Sequence, residues 1–138
     1  MPAVIVRLPI RKNLTIAVNE SVTDDVDLGG AETGAVFVPL GWGTADICFL
    51  GAMESNAYTV DKHWASPGVG IQPTPPFSIV RNEMGVALRI SNITPGTWHL
   101  FPARVLALKY FRLQSTLAGS VTPSPQANVQ VLTVVSKS

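Results

Sequence analysis

The residues able to carry chemistry are few, and their spacing is the first thing to weigh. Only two histidines occur, His63 and His99, each beside a tryptophan in Lys62-His63-Trp64 and Trp98-His99-Leu100. A zinc site needs four N, S or O ligands at suitable spacing, and the one cysteine, Cys48, has no partner near either histidine. Ser, His and Asp are all present, but no Gly-x-Ser-x-Gly elbow exists to present a nucleophile. The run around Cys48 offers it no base and no activating charge, and the residue reads as a small buried hydrophobe on a strand. Gly41-Trp42-Gly43 reads as a tight turn, lacking the Lys-Ser/Thr and following helix of a phosphate loop.

The densest carboxylate group is Asp24, Asp25 and Asp27, flanked by Glu20 and Glu32 and followed by Gly29-Gly30. Calcium takes six to eight oxygens, but the spacing misses the Asp-x-Asp-x-Asp-Gly pattern with its twelfth-position Glu, so this is read as a solvated acidic loop. Two carboxylates make a glycosidase pair only when a fold sets their separation across a cleft, and nothing here points to that. No catalytic, metal-binding or cofactor-binding residue is therefore assigned, no cofactor is expected, and the chain is read as not an enzyme. Among the large residues, Trp42 reads as a plug of the core. Trp64, in a polar and Pro-flanked stretch, is the residue best placed for stacking on the apolar face of a sugar, together with the loop at 65–76.

These side chains have to be held by something, and composition indicates what. The chain has 138 residues, one domain's worth, and at this size a core forms without disulfides or metals. Ten Lys/Arg against nine Asp/Glu leave +1, and charged residues make up only 14%. Nucleic-acid binding needs clustered cations, so that class is excluded. With 46% hydrophobic residues, self-repulsion hardly opposes association, and an assembling protein is expected. In Met1–Lys12 the cations follow a short apolar patch broken by Pro9, the reverse of a signal peptide. No stretch approaches the ~20 apolar residues of a membrane span, so a chain made and kept in solution in a cytosol, without a membrane partner, is expected. The triplets Asn13-Leu14-Thr15 and Asn92-Ile93-Thr94 are then turn or strand residues rather than glycosylation sites.

The 17 Val, 8 Ile and 11 Thr favour extended backbone, while 11 Gly and 11 Pro interrupt the chain too often for a long helix. An all-β domain of two packed antiparallel sheets is expected, with strands at 4–8, 14–18, 35–38, 45–50, 57–60, 77–80, 86–90, 105–113 and 129–135. Period-two alternation puts Phe111 and Leu113 in the core, with Tyr110, Arg112 and Gln114 opposite. In the last strand Val129 and Val131 alternate with Gln130 before the pattern lapses, as in a strand covered on both sides or bulged, with one edge available to a partner. Residues 19–33, 65–76 and 120–126 read as loops, and 100–108 as a loop entering a strand. Residues 1–14 form an N-terminal arm or edge strand, and 15–138 the sandwich domain. No repeat, heptad series or low-complexity tract breaks this organisation.

Two stretches carry a resemblance. Val36-Phe37-Val38-Pro39-Leu40-Gly41-Trp42-Gly43-Thr44-Ala45-Asp46-Ile47-Cys48-Phe49 resembles the Pro-x-Gly-Trp-Thr-x-Ala-x-Ile-x-Phe segment of small structural proteins of tailed phages and prophages. Leu108-Lys109-Tyr110-Phe111-Arg112-Leu113-Gln114-Ser115, with Gln126-Ala127-Asn128 and the Val-rich end, is similar to their Tyr-hydrophobic-Arg-Leu-Arg-Ser and Gln-x-Ala series. The likeness spans about residues 35–135 and rests on about a dozen positions. The chain departs from the pattern at 50–56, where the family has Ser-x-Asp-Gly, and at Gln114, where it has Arg.

The resemblance implies a β-sandwich of jelly-roll or discoidin type, and a virion component such as a capsid decoration (cement) protein. It would be made in the host cytoplasm, sit on the capsid surface, bind the major capsid protein and form a homo-oligomer, a trimer being one arrangement. In that setting Val4, Val6, Arg7, Arg11 and Lys12 are candidates for the capsid or partner interface, the apolar residues pairing as a strand while the cations meet acidic groups. The alternative is that the same arm is an edge strand of its own sheet. A carbohydrate-binding module on a tail or head surface, built on Trp64, is the second functional expectation.

Overall fold

A computed structural model describes residues 10–27, 33–52 and 77–137. The described residues form eight strands and one short 3-10 helix: β1 (Ile10–Ile16), β2 (Thr33–Val38), β3 (Asp46–Ala52), β4 (Ser78–Ile79), β5 (Arg89–Ile90), β6 (Thr97–Leu100), η1 (Ala103–Ala107), β7 (Tyr110–Thr116) and β8 (Gln130–Lys137). They make two antiparallel four-stranded sheets packed together, a β-sandwich. The first sheet has the order β1-β8-β2-β6. In the second, β3 pairs with β7 along one side and with β4 and β5 along the other.

The inner faces follow from period-two alternation. Leu14, Ile16, Val36, Val38, Leu132 and Val134 project from the first sheet and meet Ile47, Phe49, Phe111 and Leu113 from the second. At the centre Phe49, Phe101 and Phe111 form a mutually edge-to-face triad, with centroids 5.4, 5.6 and 6.2 Å apart. That geometry sets positive ring edges against negative ring faces. Val105, on η1, is fully buried among them. Phe111 and Leu113 lie in the core as the alternation predicts, and Trp42 is buried, its indole N–H donating to the Ala45 carbonyl (3.2 Å).

Several elements differ from the sequence reading for identifiable reasons. β1 covers Ile10–Ile16 rather than 14–18, because Ala17 accepts from Glu20 N–H (3.0 Å) and Asn19 takes a positive φ of 62°, turning the chain there. The polar Arg11-Lys12-Asn13 segment, unremarkable by propensity, is held extended by its ladder with β8. Residues 10–14 are thus part of an edge strand of the chain's own sheet. Residues 103–107 form η1 directly after Pro102, and β7 begins only at Tyr110. β6 was not anticipated, four residues after Pro95-Gly96 being too short a pattern to read. The expected strands at 4–8 and 57–60 lie outside the described residues.

The last strand alternates throughout rather than losing its alternation after Val131. Gln130, Leu132, Val134 and Ser136 point inward, while Val129 and Val131 are exposed. Its ladders with β1 and β2 are continuous, so there is no bulge, and both its edges are occupied within the chain. Residues 21–27, expected as part of a loop, instead run along the open side of β7. Val26 and Phe111 exchange both backbone bonds (2.9 and 3.1 Å), and Ser115 N–H donates to the Ser21 carbonyl (2.7 Å).

Candidate functional site

Each residue singled out from sequence now has a place or falls outside the described residues. Val4, Val6, Arg7, His63 and Trp64 are among those outside. Arg11 and Lys12 lie exposed on β1, opposite Val135 and Val134 of β8. His99 sits on β6, and its Nε2 lies 3.0 Å from the Thr97 hydroxyl and within 3.4 Å of the Thr94 backbone. This places it in a local turn network rather than a metal set. Among the described residues no group of three His, Cys, Asp or Glu side chains could hold a metal ion. No described helix is long and apolar enough to cross a membrane.

The acidic segment has a structural task. Asp24 Oδ1 accepts the Thr15 N–H of β1 (3.2 Å), and Asp25 Oδ1 lies 3.9 Å from the Arg112 guanidinium on β7. The segment thereby ties the outer edge of the first sheet to the second and closes that side of the sandwich. Arg112 is also held over the Phe77 ring, 4.3 Å from its centroid.

A second polar cluster lies on the outer face of the second sheet. The buried Asp46 carboxylate accepts from Gly119 N–H (3.0 Å), Ser91 Oγ (3.3 Å) and Arg89 Nη1 (3.4 Å), and Arg89 also reaches the Ser120 carbonyl (3.3 Å). Cys48, fully buried beside it, lies 3.4 Å from the Thr116 hydroxyl. Every member is satisfied by a neighbour, and the cluster clamps the turn at 117–122 over β3. It contains no base near Cys48 and acts as a fastening. Replacing Asp46→Asn keeps the shape but removes the charge and an acceptor, so a loss of about 1–2 kcal/mol is expected. Denaturant unfolding with unchanged slope would measure it, and amide exchange should show residues 117–122 losing protection first.

The residues that carry the two motif stretches meet in space. Gln126, buried, accepts Gly43 N–H on Oε1 (2.9 Å) and donates from Nε2 to Ser115 Oγ (2.8 Å). Gln130 donates to the Gly41 carbonyl (2.9 Å). The turn holding Trp42 is thus pinned from β7, β8 and the segment between them, and these residues support the fold rather than line a surface.

The surface that stands out is the outer face of the first sheet. Reading across the ladders, Thr15 and Val131 form one row, Asn13, Thr133, Phe37 and Trp98 the next, and Arg11, Val135, Ala35 and Leu100 a third. Leu100 is 81% exposed, Trp98 51% and Val131 45%. Trp98 packs edge-on against Phe37 at 5.3 Å. A groove of about 230 Å³ opens on this face between residues 33–35, Leu100 and residues 135–137. Arg11 and Lys137, both exposed, border it with positive charge. Monomeric soluble proteins seldom leave contiguous apolar surface of this kind open unless something binds it. The sequence signal for this face was in the Val-rich end, where the alternation of Val129 and Val131 with Gln130 does not by itself say which set faces outward. No protein-family model, curated protein or solved structure matches the chain.

Proposed function

We propose that the protein is a non-enzymatic virion structural protein, a capsid decoration protein that docks on the outer capsid lattice and stabilises the head. The observation that carries this reading is the apolar outer face of the first sheet, with Val131, Trp98 and Leu100 exposed on a chain of very low charge. Such a face gains stability when neighbours cover it, and buried area at subunit junctions is the means by which a decoration protein strengthens a shell. The cations Arg11 and Lys137 at its border suit acidic groups on the capsid protein. The resemblance of the 36–49, 108–115 and 126–128 stretches to phage structural proteins supports the same reading. A jelly-roll or discoidin-type sandwich, assembly as a homo-oligomer and residence on the capsid surface belong to this proposal.

The test is rebinding. Purified protein added to stripped or expanded heads should bind in saturable fashion and raise their melting temperature. Val129→Glu with Val131→Glu, both on exposed positions, should leave the fold within about 0.5 kcal/mol yet weaken head binding at least about tenfold, which corresponds to ~1.4 kcal/mol. Absence of binding to intact heads would sink the proposal.

A second reading has one specific observation behind it. The half-exposed Trp98 indole on the outer sheet face offers an aromatic surface on which a sugar could stack, the role expected of Trp64. Glycan-array binding lost in Trp98→Ala, with the fold kept, would favour a carbohydrate-binding module instead.

A further inference from the structure

The two ends of the first sheet are built differently. β1 carries Arg11, Lys12 and Asn13, all exposed, and its Thr15 N–H is taken by Asp24. Charged side chains and a covering segment are the usual means of keeping a sheet edge from pairing. β6, the opposite end, carries no Lys, Arg, Asp or Glu, and among the described residues no further segment pairs along it. It pairs only with β2 among the described strands, and its sequence is Thr-Trp-His-Leu.

The register shows which groups β6 leaves open. Phe101 N–H donates to the Gly34 carbonyl (2.9 Å), and Val36 pairs with His99 and Val38 with Thr97. Backbone groups in an antiparallel ladder alternate in direction, so those of His99 face β2 and those of Trp98 and Leu100 face away from it. The same two residues present the exposed side chains on the outer face. Edge hydrogen-bonding capacity and apolar surface therefore coincide at positions two apart.

We propose that β6 pairs with β6 of a second copy of this chain, antiparallel, about a twofold axis passing at His99. Trp98 then lies opposite Leu100 of the other copy, and Leu100 opposite its Trp98. Each pair exchanges both N–H···O bonds, and each indole covers a leucine that is otherwise in water. The match is self-complementary because the two residues flank the axis residue symmetrically, as an isologous contact requires. The two four-stranded sheets run on as one, and their apolar outer faces become continuous across the axis. This goes beyond head docking, since it is a property of the isolated chain.

Sedimentation equilibrium on the full chain alone tests it. The expected result is a reversible monomer–dimer equilibrium. Leu100→Pro removes an outward N–H together with the leucine side chain but spares the β2 ladder, and Leu100→Lys changes only an exposed side chain. Each should raise the dissociation constant at least about tenfold while circular dichroism stays that of the parent. A parent chain that stays monomeric at every attainable concentration would overturn the proposal. So would a trimer or larger ring, or a Leu100→Lys variant that dimerises as the parent does. Head binding, measured separately with the Val129 and Val131 variant, is untouched by any of these failures.

Discussion

Phe49→Ala is expected to lower the stability of the sandwich by about 3–5 kcal/mol, the largest effect of any single substitution considered. Phe49 is fully buried and stands in edge contact with both Phe101 and Phe111, so its removal deletes two ring contacts as well as the transfer free energy of the side chain. The cavity left behind cannot collapse easily. Its walls are Ile47, Leu113 and the inward residues of the facing sheet, all held in ladders that fix their backbone. A fall in Tm of about 10–20 °C should accompany it, read by calorimetry or near-ultraviolet dichroism. Phe49→Leu, which refills much of the volume, should recover about half of the loss. Equal effects of the two substitutions would mean that the aromatic triad matters more than the volume it occupies.

The sandwich itself was legible because its core strands carry their pattern in apolar residues. Phe111 and Leu113 alternate with polar neighbours, so their inward face could be read, and the 35–38 and 45–50 runs are mostly apolar, so their strand type could be read as well. What failed were places where the ladder rather than the side chain decides. β1 extends through Arg11-Lys12-Asn13 only because β8 lies alongside it. Residues 21–27 look like a solvated acidic loop, yet Thr23, Asp24 and Asp25 spend their polar groups on β1 and β7.

The face of β8 was not legible for a related reason. Its inward set includes Gln130 and Ser136, polar residues whose burial is possible only because partners such as the Gly41 carbonyl are supplied from elsewhere in the chain. Sequence periodicity gives the alternation of Val129 and Val131 with Gln130 but not which set faces solvent. The surface on which the functional proposal rests was therefore not legible. The candidate interface in the sequence was the arm containing Arg11 and Lys12, and the apolar face lies beside those residues rather than on them.

Gln126 is where the buried-amide argument makes its sharpest demand. Gln126→Leu keeps the size of the side chain but leaves Gly43 N–H and the Ser115 hydroxyl without their partner in a buried site, at about 2–4 kcal/mol in total. Ser115→Ala alone should cost less, because the Gln126 carbonyl keeps its bond to Gly43. In the double variant the Ser115 acceptor is gone along with the amide that donated to it, so the penalties should fall short of additivity by about 1 kcal/mol or more. Additivity to within about 0.3 kcal/mol would show that the three residues are not one network. Trp42 offers an independent readout, since its indole sits in the turn that Gln126 and Gln130 pin, and its fluorescence should shift in Gln126→Leu before global unfolding. Under the docking proposal, the folded fraction of that variant should bind heads no differently from the parent, because the outer face of β8 and β6 is not part of the network. A loss of head binding in folded Gln126→Leu protein would instead tie the Gly41-Trp42-Gly43 turn directly to the capsid contact.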